Sequence, residues 1–153
     1  MKRILFICHG NICRSPMAEF IMKNLVRENH CEDRYLIDSA AVSTEELGNG
    51  IYPPAKRILH KYGVEFDNHR AWQIRRSDYD RYDMLILMDQ SNVRWLNHII
   101  TNNDPEHKIH LLMEFAGLYR DVADPWYTDD FETAYRDIKL GCEALFNFLE
   151  NKS

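Results

Sequence analysis

The segment Cys8-His9-Gly10-Asn11-Ile12-Cys13-Arg14-Ser15 sets a thiol six positions ahead of an arginine and ends on a serine that Pro16 follows. These residue types suit an anion. A loop running into a helix N-terminus can turn several backbone N–H groups inward, and with the helix dipole they make a cradle for negative charge. Gly10 is expected to help the loop turn. Arg14 adds a permanently charged planar fork that can grip two phosphate oxygens and follow them as phosphorus becomes trigonal-bipyramidal. The same positive field favours the thiolate of Cys8, the nucleophilic form. Ser15 can donate to that sulfur as it leaves. The alternative for so short a pattern is structural: Cys8 buried at a strand end, Cys13 packed in a helix turn, Ser15 a cap alone. A Walker loop is excluded, because the second glycine and the lysine are missing.

The flanking elements agree with an anion-binding loop. Lys2 to Ile7 is a short apolar run that reads as a buried strand. Ser15 as cap, Pro16 at the first helical position and Glu19 soon after open a helix, along which Met17, Phe20, Ile21, Leu25 and Val26 recur at helical spacing. Further along, strands are expected at Tyr35–Val42, Asp83–Met88 and Lys108–Leu112, and helices at Pro53–Tyr62, Asp89–Ile100 and Phe131–Glu150. Gly117 to Asp130 reads as a long polar-aromatic connection. Such alternation favours a parallel sheet with helices on both faces, where ligands bind beyond the carboxyl ends of the strands. No repeat or linker interrupts the 153 residues, so a single domain over 1–153 is expected.

A phenolate leaving group needs a proton, and a carboxylic acid above the loop can supply it. Asp124 is the candidate, held by Pro125 and followed by Trp126 and Tyr127, which can wall a slot for an aryl ring. It is one of several carboxylates in that stretch, and a solvated acidic loop is the competing reading. Asp129 and Asp130 suit the start of the last helix, where carboxylates favour the dipole. His107 and His110 beside Asp104 and Glu106 raise a metal site, but a loop running into a strand without Cys ligands does not support one.

Residues 8 to 16 match at every fixed position the Cys-x-Gly-Asn-Ile-Cys-Arg-Ser-Pro loop of the low-molecular-weight protein-tyrosine phosphatases. The resemblance continues through Ile37-Asp38-Ser39-Ala40, Asn68-His69, Met88-Asp89-Gln90-Ser91-Asn92 and Ala123-Asp124-Pro125-Trp126, nearly the whole chain. It implies an α/β fold of three layers, α/β/α, around a four-stranded parallel twisted sheet. It implies phosphomonoester hydrolysis without metal or other cofactor, through a phosphocysteine, with Cys8, Arg14 and Asp124 as the catalytic residues. His9, Gly10, Asn11, Ile12, Cys13, Ser15, Glu45, Trp126 and Tyr127 would contact substrate. The family braces its loop through Asn11 with a serine and a histidine, here Ser39 and His69. Asp89 would be the acidic support of Arg14, a helix N-cap being an equal account.

The chain departs from the family at three places: His9 replaces an apolar residue, Glu45 stands where some relatives have a pocket aromatic, and Trp72 where an arginine is frequent. Arsenate reductases share fold and loop but need relay cysteines; Cys31 ends the first helix region, Cys142 lies in the last helix, and no cysteine pair stands between residues 80 and 90. Phosphoarginine phosphatases tend to carry threonine where this chain has Ile12, and isoleucine favours an aryl phosphate. A phosphoprotein-binding module without turnover is the reading from another class. The expected partners are tyrosine-phosphorylated proteins and a cognate tyrosine kinase, for a monomer or weak homodimer. A net charge of -5 argues against nucleic acid and anionic membrane. With no span of about 20 apolar residues and too short an apolar start for a signal peptide, a cytoplasmic location with reduced cysteines is expected.

Overall fold

In the computed structural model, which describes residues 1–151, the first apolar run becomes β1 (Lys2–Cys8) at the centre of the sheet. β2 (Tyr35–Ala41), β3 (Met84–Leu87) and β4 (Ile109–Leu111) complete it in the order β2-β1-β3-β4, every pair parallel. The chain leaves β1 to one side to build β2, then crosses back to build β3 on the other. The carboxyl end of β1 therefore marks a topological switch point, where a crevice opens between diverging connections.

Five consecutive residues of β1, Ile4 to Cys8, are buried, because both sheet faces are covered. Ile4, Phe6 and Cys8 pack toward α1 (Arg14–Glu28), α2 (Pro53–Lys61) and α5 (Phe131–Asn151), joining Met17, Leu59, Ile138 and Leu145. Leu5 and Ile7 face α3 (Gln90–Ile100) and meet Leu96 and Ile100. Each such side chain, fully buried, contributes about 1.5–3 kcal/mol. Gly141 lets α5 close on the turn at Leu112–Ala116: a Cβ there would lie 2.5 Å from Leu112 Cγ.

The three-layer parallel architecture matches the expectation, and the element ends shift by a residue or two. Two differences have physical causes. The first helix begins at Arg14 with Cys13 in the cap position, so Ser15 lies inside the first turn and its hydroxyl does not cap it. The connection before α5 contains a short helix, α4 (Pro125–Thr128), with Asp124 as its N-cap. Asp130 does bond the first turn of α5, accepting from Thr133 N at 3.0 Å, whereas Asp129 takes a left-handed conformation at the end of α4.

Candidate active site

β1 delivers Cys8 to the switch point, and residues 9–13 turn before α1 begins. The left-handed residue of this turn is Asn11, with φ of 61°, and Gly10 lies outside that region. Gly10 therefore helps the turn without taking its left-handed position. Its missing side chain makes room instead, since a Cβ would meet Glu46 Cγ at 3.3 Å.

Asn11 holds its strained backbone through a buried amide side chain. Nδ2 donates to Ser15 Oγ at 2.8 Å and to Ser39 Oγ at 3.0 Å, and Oδ1 meets His69 Nε2 at 2.8 Å. A carbonyl oxygen only accepts, so His69 Nε2 carries the proton. Ser39 in turn donates to Glu19 Oε1 at 2.6 Å. Burial pushes the His69 imidazole below its ordinary range, with the Glu19 carboxylate, 3.6 Å from Nδ1, acting the other way. Trp72 contributes its backbone N–H to Asn11 Oδ1 at 3.4 Å, so the brace at that position does not depend on side-chain type.

This network sets the protons around the sulfur. Ser15 Oγ already accepts from Asn11, which leaves its hydroxyl hydrogen for Cys8 Sγ at 3.0 Å, the competing Ala40 carbonyl being farther at 3.5 Å. Asn11 N–H donates to the same sulfur at 3.3 Å. Two donors converging on a buried sulfur suit a thiolate. The loop is braced from outside by Ser43, whose N–H and hydroxyl both donate to the His9 carbonyl, and by Tyr52 N–H on the Ile12 carbonyl at 2.9 Å. Cys13 has no side-chain cap bond, and the first N–H groups of α1 have no helical carbonyl to meet, so they are suited to an anion.

Arg14 is buried and held rigidly. Its Nη1 donates to Asp89 Oδ2 at 2.7 Å and to the Val122 carbonyl at 2.8 Å. Asp89 performs both tasks left open by sequence, since its other oxygen, Oδ1, caps α3 by accepting from Asn92 N at 2.7 Å. Val122 is fixed by its N–H on the Met88 carbonyl, which ties the long connection to the end of β3. Two residues later Asp124 turns Oδ1 to Trp126 N at 3.0 Å and Oδ2 toward Arg14 Nη2 at 3.4 Å.

One cavity is lined by Cys8, Arg14 and Asp124 together with His9, Gly10, Ile12 and Cys13 from the loop. Trp126 and Tyr127 also line it, Trp126 packing on Tyr52 at 5.1 Å between ring centroids, as do Glu45 and Glu46. Asn11, Ser15, Ser39, His69 and Asp89 lie outside the lining and act on it through the bonds above. Sequence reasoning missed Glu19, Glu46, Tyr52 and Val122. Asp104 accepts from Tyr79 OH and from the N–H groups of Lys108 and Ile109, and so organises the turn before β4.

The family model described as low molecular weight phosphotyrosine protein phosphatase matches residues 3–153. The low molecular weight protein-tyrosine-phosphatase YfkJ of Bacillus subtilis is 36% identical over 154 residues, 99% of this chain and 98% of its own. The low molecular weight phosphotyrosine protein phosphatase of Gallus gallus is 39% identical over 156 residues, 95% and 94% of the two chains. The crystal structure of YfkJ superposes with a TM-score of 0.95 at 34% identity over 100% of this chain and 97% of that one. A Drosophila arginine phosphatase superposes with a TM-score of 0.87 at 31% identity, over 97% and 98%.

Proposed function

The chain belongs to the low molecular weight phosphotyrosine protein phosphatase family, and from that premise we propose that it hydrolyses protein phosphotyrosine and small aryl phosphates through a phosphocysteine on Cys8. The observation that carries the reading is the sulfur of Cys8, held by Ser15 and Asn11 in a cavity shared with Arg14 and Asp124. Cys8 thiolate attacks phosphorus, and the S–P bond forms as the P–O bond to the phenol breaks. Arg14, its Nη1 anchored on Asp89 and Val122, presents its remaining donors to the equatorial oxygens as charge redistributes. Protonated Asp124 gives its proton to the leaving phenolic oxygen. As carboxylate it then takes a proton from the water that attacks phosphocysteine, and the sulfur leaves toward the Ser15 hydroxyl.

The aromatic pair Trp126 and Tyr127 and the apolar Ile12 suit a flat aryl group, which favours phosphotyrosine over phosphoarginine. Within this reading the substrates are tyrosine-phosphorylated proteins, products of a cognate tyrosine kinase, and the enzyme is one domain working in the cytoplasm as a monomer or weak homodimer. Among the described residues no helix is long and apolar enough to cross a membrane. Turnover of p-nitrophenyl phosphate and of a phosphotyrosine peptide tests the proposal: wild type should hydrolyse both and Cys8→Ala neither. Binding of the peptide without turnover by wild type would favour a phosphoprotein-binding module, and faster turnover of phosphoarginine would favour the arginine phosphatases.

A further inference from the structure

Beside the catalytic cavity, α3 carries a shallow depression lined by Ser91, Arg94, Trp95 and His98. Their spacing puts the four on one stripe of the helix, while Leu96 and Ile100 face the core. Trp95 is nearly half exposed, so core packing does not explain it. It is joined to the catalytic cavity by one contact: the ring of His9, which lines that cavity, meets Trp95 at right angles with centroids 5.1 Å apart. His9 also bonds Glu45 Oε2 through Nε2 at 2.8 Å, which fixes the ring in place.

The charges along this path are uneven. Glu45 and Glu46 border the catalytic cavity, whereas Arg94 and His98 stand on the α3 side with exposed side chains that make no ion pair or hydrogen bond among the described residues. The guanidinium of Arg94 is thus uncompensated locally, beside an indole that the ring of His9 links to the slot.

We propose that Arg94 and His98, which share a depression with Trp95 and through it adjoin His9 of the slot, form a shelf that selects substrate proteins bearing an acidic side chain close to the phosphotyrosine. The inference rests on phosphotyrosine hydrolysis at Cys8. A guanidinium fork matches a carboxylate with two parallel hydrogen bonds, and the indole offers apolar surface to the stem of an aspartate or glutamate. Such a contact is exposed, so its effect is modest and fades with salt. It forms equally in the ground and transition states, and it therefore acts on KM and leaves kcat alone.

The test compares kcat/KM at low ionic strength for three phosphotyrosine peptides that differ only in acidic, neutral or basic flanking residues. The ratio is taken within each enzyme, so that differences in folded fraction cancel. Wild type should prefer the acidic over the neutral peptide by about two- to fivefold, mainly through KM. The double variant Arg94→Gln/His98→Gln should bring the ratio near one, and Arg94→Glu should reverse it toward the basic peptide. Equal rates on acidic and neutral peptides in wild type, or a preference that survives Arg94→Glu, would overturn the shelf while leaving phosphotyrosine hydrolysis intact. Failure to hydrolyse even the neutral peptide would overturn the parent reading and the shelf with it.

Discussion

The hydroxyl of Ser15 lies 3.0 Å from the sulfur of Cys8, and the amide of Asn11 occupies its acceptor side, so the serine proton points at the thiol. In attack this bond stabilises the thiolate. In the second step it stabilises the same sulfur as a leaving group. Ser15→Ala should therefore slow breakdown of phosphocysteine more than its formation. Rapid-mixing kinetics with p-nitrophenyl phosphate should show a retained burst followed by a steady rate on the order of 10²-fold lower. A burst that slows as much as the steady rate would place the role of Ser15 in the first step alone.

Asp89 divides its oxygens between a helix cap and Arg14. Asparagine is as good a cap as aspartate but carries no charge for the guanidinium. Asp89→Asn should leave the melting temperature within a few degrees and lower kcat roughly tenfold through a looser Arg14. Arg14→Lys, which keeps charge and loses the fork, should lower kcat much further. An Asp89→Asn enzyme that melts early yet turns over normally when folded would make the residue a cap only.

Asp124→Asn keeps size and the bond to Trp126 N but removes the transferable proton. On phosphotyrosine, kcat should fall on the order of 10²–10⁴-fold. The loss in kcat/KM should shrink along a series of aryl phosphates as the phenol becomes more acidic. A loss that is equal across the series would put the proton donor elsewhere, with Asp121, Asp129 and Asp130 next to test.

Burial pushes the Cys13 thiol up well beyond its ordinary range, and the negative charges of Cys8 and Asp124 act in the same direction. Cys13 should stay protonated at neutral pH and resist iodoacetamide while Cys8 reacts. Mild peroxide should first oxidise Cys8 to the sulfenic acid; this removes the Cys8 thiolate charge that helps keep Cys13 protonated, and Cys13, losing its proton, can then attack the oxidised sulfur to form a disulfide with release of water. Peptide mapping should find the Cys8–Cys13 link, and thiol should restore activity in wild type but less fully in Cys13→Ser. Equal recovery in both enzymes would reduce Cys13 to packing.

Residues 8 to 16 were legible because the chemistry lies in one contiguous stretch, with each side chain's type matched to its task. Asp124 was singled out by the family's Asp-Pro-aromatic pattern, since composition alone left it one of several carboxylates in an acidic loop; the structure brings it into the cavity of Cys8 and Arg14. The brace behind the loop was not legible in the residues themselves, because its members come from distant elements. Glu19 reads along α1 as a surface carboxylate with Lys23 at i+4, a pair the structure keeps at 2.6 Å, yet it is buried because its other oxygen takes the Ser39 hydroxyl. Val122 and Trp72 act through backbone groups, and side-chain type carries no signal for that. The placement of the left-handed residue at Asn11 and not at Gly10 went against glycine's greater freedom, since the side-chain bonds of Asn11 offset a strain of about 1 kcal/mol. The start of α1 was misread by two residues because Ser-Pro is a good cap signal, and the serine's hydroxyl turned instead to the sulfur.

The most direct measurement is acid quenching of the enzyme during turnover of an aryl phosphate, followed by mass analysis of its peptides. Phosphocysteine should be found on the peptide containing Cys8, at a level that rises in Ser15→Ala, where breakdown is slowed, and it should be absent from Cys8→Ala, which should not turn over. Turnover by Cys8→Ala, or a working wild-type enzyme whose phosphoryl group appears on another residue or on none, would contradict Cys8 as the nucleophile.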